Sequence, residues 1–240
     1  MFPIRNTVPT RYPAIVTWCL IFANCFIFFI QIGLSPREQE ALLYTFGLVP
    51  ARYMESSLSP ADFLPFLTMM FLHGGWLHLI LNMWMLWLFG PTIEDRLGHG
   101  AFLGFYFACG IAAAVAHLFF NPTSIVPAVG ASGAIAGVLG CYVRLFPLAR
   151  VIVLVPIIFI PLFFEVPALA FVGIWFIMQL LQGAAEFFTT SSGAGVAWWA
   201  HIGGFLAGLA LAPILQHPVQ TYRAYYPDEG ILGFDTSGRP

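Results

Sequence analysis

Charge is scarce in this chain. Only 8% of its 240 residues are Asp, Glu, Lys or Arg, against about a quarter in soluble domains. Lysine is absent, and all 9 basic residues are arginine. The net charge is -2 and no basic run exists, which argues against nucleic acid as a partner. Cysteine is also sparse. Cys19, Cys25, Cys109 and Cys141 lie in apolar stretches without metal-type spacing. They read as buried free thiols, not as a disulfide framework. Polar coat is the third shortage: 60% of the residues are hydrophobic and 17% aromatic. A soluble core cannot hide that much apolar surface. Lipid must replace the missing polar surface, so the chain is read as an integral, multi-pass membrane protein of all-α class.

A usable signal-peptide cleavage site is also lacking. Arg5 and Arg11 precede an apolar run over 13–34 that is longer than a signal core. The one small-x-small candidate, Gly33-Leu34-Ser35, is followed by Pro36. The run is therefore read as a retained first span.

Six stretches have the roughly 20 mostly apolar residues that a span requires. They cover 13–34, 75–92, 101–120, 131–146, 166–182 and 196–215, with a long polar loop over 35–72. Residues 151–167 are apolar but broken by Pro156, Pro161 and Pro167. That stretch is expected to be re-entrant, an interfacial helix or an extension of span five. A membrane domain over 1–216 then precedes a polar, poorly ordered tail over 217–240. Arg5, Arg11, Arg96, Arg144, Arg150, Arg223 and Arg239 fall on one side, and Arg37 and Arg52 on the other. Arginine bias makes the first side cytoplasmic, with both termini on it. A bacterial-type cell membrane is the expected location.

Spans two, four and six then begin at the outer face. Ser132 opens span four in "GASGAIAG", His201 lies about five residues into span six, and His73 and His78 flank the start of span two. At about 1.5 Å per residue, all fall within roughly 10 Å of the outer boundary. Gly133 and Gly137 form one GxxxG pair, and Gly204 and Gly208 another. Such faces let helices approach closely, which would bring Ser132 within reach of His201.

A serine beside a histidine base can act as a nucleophile. The usual third member is a carboxylate, yet spans four and six contain no Asp or Glu. The expectation is a Ser–His dyad without an acid, its histidine oriented by packing or by another hydrogen bond. His78 and Asn82 are spaced i, i+4 and share a helix face. With the Ser132 backbone N–H at a helix start, they can hold the oxyanion that acyl transfer develops. The bland alternative is helix packing with a structural Ser–His hydrogen bond. Zinc held by His73, His78 and His201 is a further reading, but the pattern lacks the glutamate of H-E-x-x-H. A transporter path is another, but its polar groups should continue past the midplane, where only Gln179 and Gln182 stray, with His117 expected at the interface.

Together these stretches resemble the rhomboid family of intramembrane serine proteases. The resemblance rests on His73-x4-His78-x3-Asn82, on Gly130-Ala131-Ser132-Gly133, and on Ala200-His201 with Gly204 and Gly208, over about residues 60–216. Residues 94–98, "EDRLG", resemble the family's E-x-R-x-G segment. The resemblance implies a six-transmembrane-helix rhomboid-like bundle. It implies Ser132 as nucleophile, His201 as base, and His78, Asn82 and the Ser132 amide as oxyanion hole. His73, Gly130 and Gly133 would shape the site, and Gly137, Gly204 and Gly208 would pack the helices. Substrates would be membrane proteins cut in or beside a transmembrane helix, with span five and the following loop as gate and lid. No metal or organic cofactor is implied, and no oligomeric state. A pseudoprotease that binds membrane helices without cutting them is the runner-up. Two departures stand out. The long loop lacks the family's frequent Trp-Arg pair. Ala136 stands where an aromatic often stacks on the histidine, so either another aromatic fills the gap, with Trp198 and Phe205 as the candidates, or His201 is less tightly oriented.

Overall fold

The computed structural model describes residues 2–54, 57–157, 160–186 and 197–216. Strand β1 (Phe2–Asn6) leads into helix α1 (Ile15–Gly33). Helix α2 (Pro36–Phe46) and the four-residue α3 (Pro65–Thr68) follow. The bundle is completed by α4 (Trp76–Leu97), α5 (His99–Phe120), α6 (Ser132–Leu145), α7 (Ala168–Glu186) and α8 (Trp198–Leu215). Strands β2 (Arg150–Ile157) and β3 (Ile160–Pro167) lie between α6 and α7. Helices α1, α4, α5, α7 and α8 are long and apolar enough to cross a membrane. Helix α6 has only 14 residues, about 21 Å of rise. The chain is thus an all-α polytopic bundle with a small appended sheet.

Helix α6 is the centre of the molecule: every residue from Gly133 to Val143 is buried. A helix buried all round needs small residues where its neighbours touch it. A Cβ added at Gly204 would land on the Gly133 carbonyl, and one at Gly208 on the Gly137 carbonyl. The two GxxxG faces therefore interlock backbone against backbone, with Gly140 set equally close to the Phe205 carbonyl.

The "EDRLG" segment ties α4 to α1. The buried Glu94 carboxylate accepts from the backbone N–H groups of Val16 (2.8 Å) and Thr17 (2.7 Å) and from the Thr17 hydroxyl (2.6 Å). It thereby caps the first turn of α1, whose donors have no partner within the helix. Asp95 accepts from the N–H groups of Arg11 and Tyr12 just upstream. Gly98, at φ 79°, makes the left-handed turn into α5.

The stretch 151–167 differs from the sequence expectation. It is neither re-entrant loop nor helix but a β-hairpin, and with β1 it forms an antiparallel sheet of order β1-β2-β3. The run Val151-Ile152-Val153-Leu154-Val155 is rich in β-branched residues, and Val151 and Val153 point into the core. Pro156 and Pro161 face each other across the hairpin near its turn, where few ladder bonds are lost. Strand β1 runs along α4: Trp84 Nε1 donates to the Pro3 carbonyl (2.7 Å), and Asn6 Nδ2 donates to the Leu88 carbonyl (2.6 Å).

The long loop over 35–72 is folded. Ser35 with Glu38 and Ser59 with Asp62 form capping boxes. Hydroxyl and amide donors of those serines hold the Glu38 and Asp62 carboxyls below their usual range. Phe63 and Leu64 give the loop an exposed apolar side without the Trp-Arg pair. Of the four thiols, Cys109 and Cys141 are buried, Cys25 is half-buried and Cys19 is exposed on α1. The expectation of uniform burial fails for Cys19 because α1 turns that face to lipid. The first four residues of the expected lid loop, 183–186, end α7; the rest of it and the tail over 217–240 lie outside the described residues.

Candidate active site

Ser132 begins α6, and His201 sits in the first turn of α8. The interlocked glycines set these two helix starts side by side. Ser132 Oγ lies 2.8 Å from His201 Nε2. The other ring nitrogen, Nδ1, lies 2.7 Å from Gln179 Oε1 on α7. An amide oxygen only accepts, so Nδ1 carries the proton. Nε2 is then a bare acceptor, and the Ser132 hydroxyl donates to it. This is the protonation state that a general base requires.

Gln179 reads in the sequence as a stray polar residue, and sequence reasoning missed its role as partner. The missing signal is spatial, since nothing in the chain spacing relates position 179 to 201. Two aromatic rings flank the imidazole. Trp198 stands edge-on at 6.2 Å between centroids, and Trp175 lies tilted at 6.1 Å. Of the two expected aromatics, Trp198 is thus adjacent to His201. Phe205 stacks on Phe176 at 4.2 Å, because it sits one turn deeper on α8. Trp175 was not anticipated.

Helix α4 supplies His78 and Asn82 one turn apart. The Gly74 N–H donates to His78 Nδ1 at 3.3 Å, so the His78 proton sits on Nε2. That nitrogen faces Gly130: a Cβ there would stand 2.7 Å from it and 3.6 Å from Asn82 Nδ2. Gly130, at φ 125°, is left-handed as well as crowded, so only glycine fits. Asn82 Nδ2 is buried and has no hydrogen-bond partner among the described residues. Two N–H donors therefore converge beside the N-terminus of α6, one of them with nothing to bind.

His73 is placed differently from the sequence expectation. It does not shape the mouth. It is fully buried behind His78, ring centroids 5.1 Å apart, and its backbone is held by Gln31 of α1. The polar Gln31 inside α1 draws that segment inward. His117 lies in the last turn of α5 and is buried within the bundle, its Nδ1 3.4 Å from Asn121 Nδ2. No cluster of three His, Cys, Asp or Glu side chains suited to a metal ion exists among the described residues.

Ser132, His201, His78 and Asn82 all line one cavity of about 1800 Å³. Ile135, Ala136 and Leu139 extend its wall down α6. Leu77 and Leu81 of α4 and Ile174 and Met178 of α7 line its sides. Those same four side chains are largely exposed on the bundle surface, so the cavity wall runs on into the lipid-facing surface.

The family description "Rhomboid domain" matches residues 60–218. The chain belongs to the rhomboid family. It is 31% identical over 162 residues to Rhomboid protein 1, mitochondrial, of Saccharomyces cerevisiae, covering 64% of this chain and 42% of that protein. It is 34% identical over 125 residues to Rhomboid protease GluP of Bacillus subtilis, covering 52% of this chain and 23% of that one. Rhomboid-like protease 3 of Toxoplasma gondii matches at 27% over 213 residues, covering 87% of this chain and 73% of that protein. The chain thus spans less than half of the first two relatives. Rhomboid membership and the apolar helices together make it an integral, multi-pass membrane protein.

Proposed function

We propose that this rhomboid is an active intramembrane serine endopeptidase that cuts transmembrane segments of other membrane proteins. The observation that carries the reading is the 2.8 Å contact of Ser132 Oγ with an unprotonated His201 Nε2. Ser132 Oγ attacks the scissile carbonyl carbon and its proton passes to Nε2. The new oxyanion is held by His78 Nε2–H, by Asn82 Nδ2–H and by the Ser132 N–H, which has no partner within α6. Collapse breaks the C–N bond, and His201 returns the proton to the departing amine. Water then hydrolyses the acyl ester by the same route, without metal or organic cofactor. The apolar cavity walls favour a membrane-embedded substrate, since Leu77, Leu81, Ile174 and Met178 can exchange lipid contact for substrate contact.

The bundle sits with Arg5, Arg11, Arg96, Arg144 and Arg150 at the cytoplasmic end and the site toward the outer face. A bacterial-type cell membrane fits this orientation.

The test is cleavage in proteoliposomes of a reporter whose transmembrane segment carries small and helix-breaking residues. Wild type is expected to cut it, and Ser132→Ala and His201→Ala to lose cutting. Equal cleavage by Ser132→Ala would overturn the proposal. Binding of the reporter without cleavage by wild type would favour the pseudoprotease.

A further inference from the structure

Gln179 lies in a membrane span, and none of the motif residues accounts for it. It is 95% shielded (5% exposed), and an uncharged polar side chain there needs partners. It has two. Its Oε1 takes the His201 Nδ1–H at 2.7 Å, and its Nε2 makes a long 3.4 Å bond to the Trp175 carbonyl one turn back on α7. The second bond fixes the first. Flipping the amide would set Oε1 against the Trp175 carbonyl, two acceptors face to face, and Nε2 against Nδ1.

We infer that Gln179 is the positioning residue for His201, an uncharged amide standing where a three-member site has its carboxylate. This rests on the protease reading above. The amide oxygen pins the imidazole in the Nδ1–H tautomer and aims the Nε2 lone pair at Ser132. When Ser132 yields its proton, the imidazolium keeps the same Nδ1–H bond, now charge-assisted and stronger. The arrangement also answers the small residue at position 136. With Ala136 offering no ring, support comes from α7 through Gln179 and Trp175. Helix α7 is therefore part of the catalytic apparatus while its Ile174 and Met178 line the cavity, so an incoming segment touches the helix that orients the base.

The test compares wild type, Ser132→Ala, Gln179→Met and Gln179→Glu in detergent. Methionine keeps the volume and removes the acceptor, while glutamate restores it. Fluorophosphonate labelling and kcat on a transmembrane reporter should fall roughly 10- to 100-fold in Gln179→Met, with KM within about twofold. Gln179→Glu should recover most of the loss. In parallel, the 15N shifts of His201 should report the Nδ1–H tautomer in wild type and in Ser132→Ala, and a mixture in Gln179→Met. Wild-type rates and shifts in Gln179→Met would overturn the inference and leave the protease reading intact, as would an equal loss in Gln179→Glu. A wild type that never labels defeats the protease reading itself, and the inference with it. The tautomer measurement reads the positioning role directly even if Gln179→Met folds poorly, because Gln179→Glu must then keep a single tautomer.

Discussion

At the scale of single residues, the site is defined by which groups have partners and which do not. Ser132 and His201 satisfy each other, and His201 satisfies Gln179. Asn82 Nδ2 is buried and unsatisfied among the described residues. An unpaired buried donor costs about 1–3 kcal/mol, and such a cost is tolerated where the missing acceptor arrives with the reaction. Asn82→Ala should lower turnover by about 10- to 1000-fold while its melting temperature in detergent stays level or rises. His78→Ala should lower turnover over the same range. A fall in melting temperature with unchanged turnover would make Asn82 a structural residue instead. The residues proposed to carry chemistry were legible because each sits in a short motif of unusual composition: "GASG", "AHIGG" and the i, i+4 pair of His78 and Asn82. Gln179 was not, since an isolated glutamine in an apolar run has no local signature until α7 is seen to face α8.

Secondary elements position those groups through close helix contact. Helices α6 and α8 meet through Gly133 against Gly204 and Gly137 against Gly208, and the site is built on the first turns of both. Gly204→Ala forces the backbones apart. It should destabilise the bundle by about 1–3 kcal/mol and reduce turnover more steeply than its stability loss explains, since Ser132 and His201 separate. Thermal melting and reporter cleavage on the same sample check this. If activity is retained at full stability, the glycine contact does not set the dyad. The spans were readable to within a few residues from apolar runs alone. Residues 151–167 were not legible as strands because their three prolines obscure the β-branched run Val151–Val155; Pro156 and Pro161 pair with each other near one end of the β2–β3 ladder. Strand β1 was illegible for a different reason. Five residues give no periodicity, and its place is set by Trp84 and Leu88 of α4.

The whole molecule is organised around a short central helix. Helices α4, α5, α7 and α8 all pack against α6, and Ser132 opens into a cavity lined by His78, Asn82 and His201 together with lipid-facing side chains such as Leu77 and Ile174. The proposed orientation, with Arg5, Arg11, Arg96, Arg144 and Arg150 on the cytoplasmic side, puts the site toward the outer side. In a background with the four native cysteines replaced by alanine, Ser59→Cys should react with an impermeant thiol reagent from outside, and Leu148→Cys only after permeabilisation. The reverse pattern would invert the orientation. The broad class was legible from composition because so little charge leaves only lipid as a solvent. At the centre of the molecule, Ser132 is proposed to be a nucleophile activated by His201. The most direct test of this role is the reaction of the purified protein with a fluorophosphonate, followed by mass mapping of the adduct. A single adduct on Ser132 is expected, absent from Ser132→Ala and lost or greatly slowed in His201→Ala. Equal labelling of Ser132→Ala, or an adduct on any other residue, would contradict it.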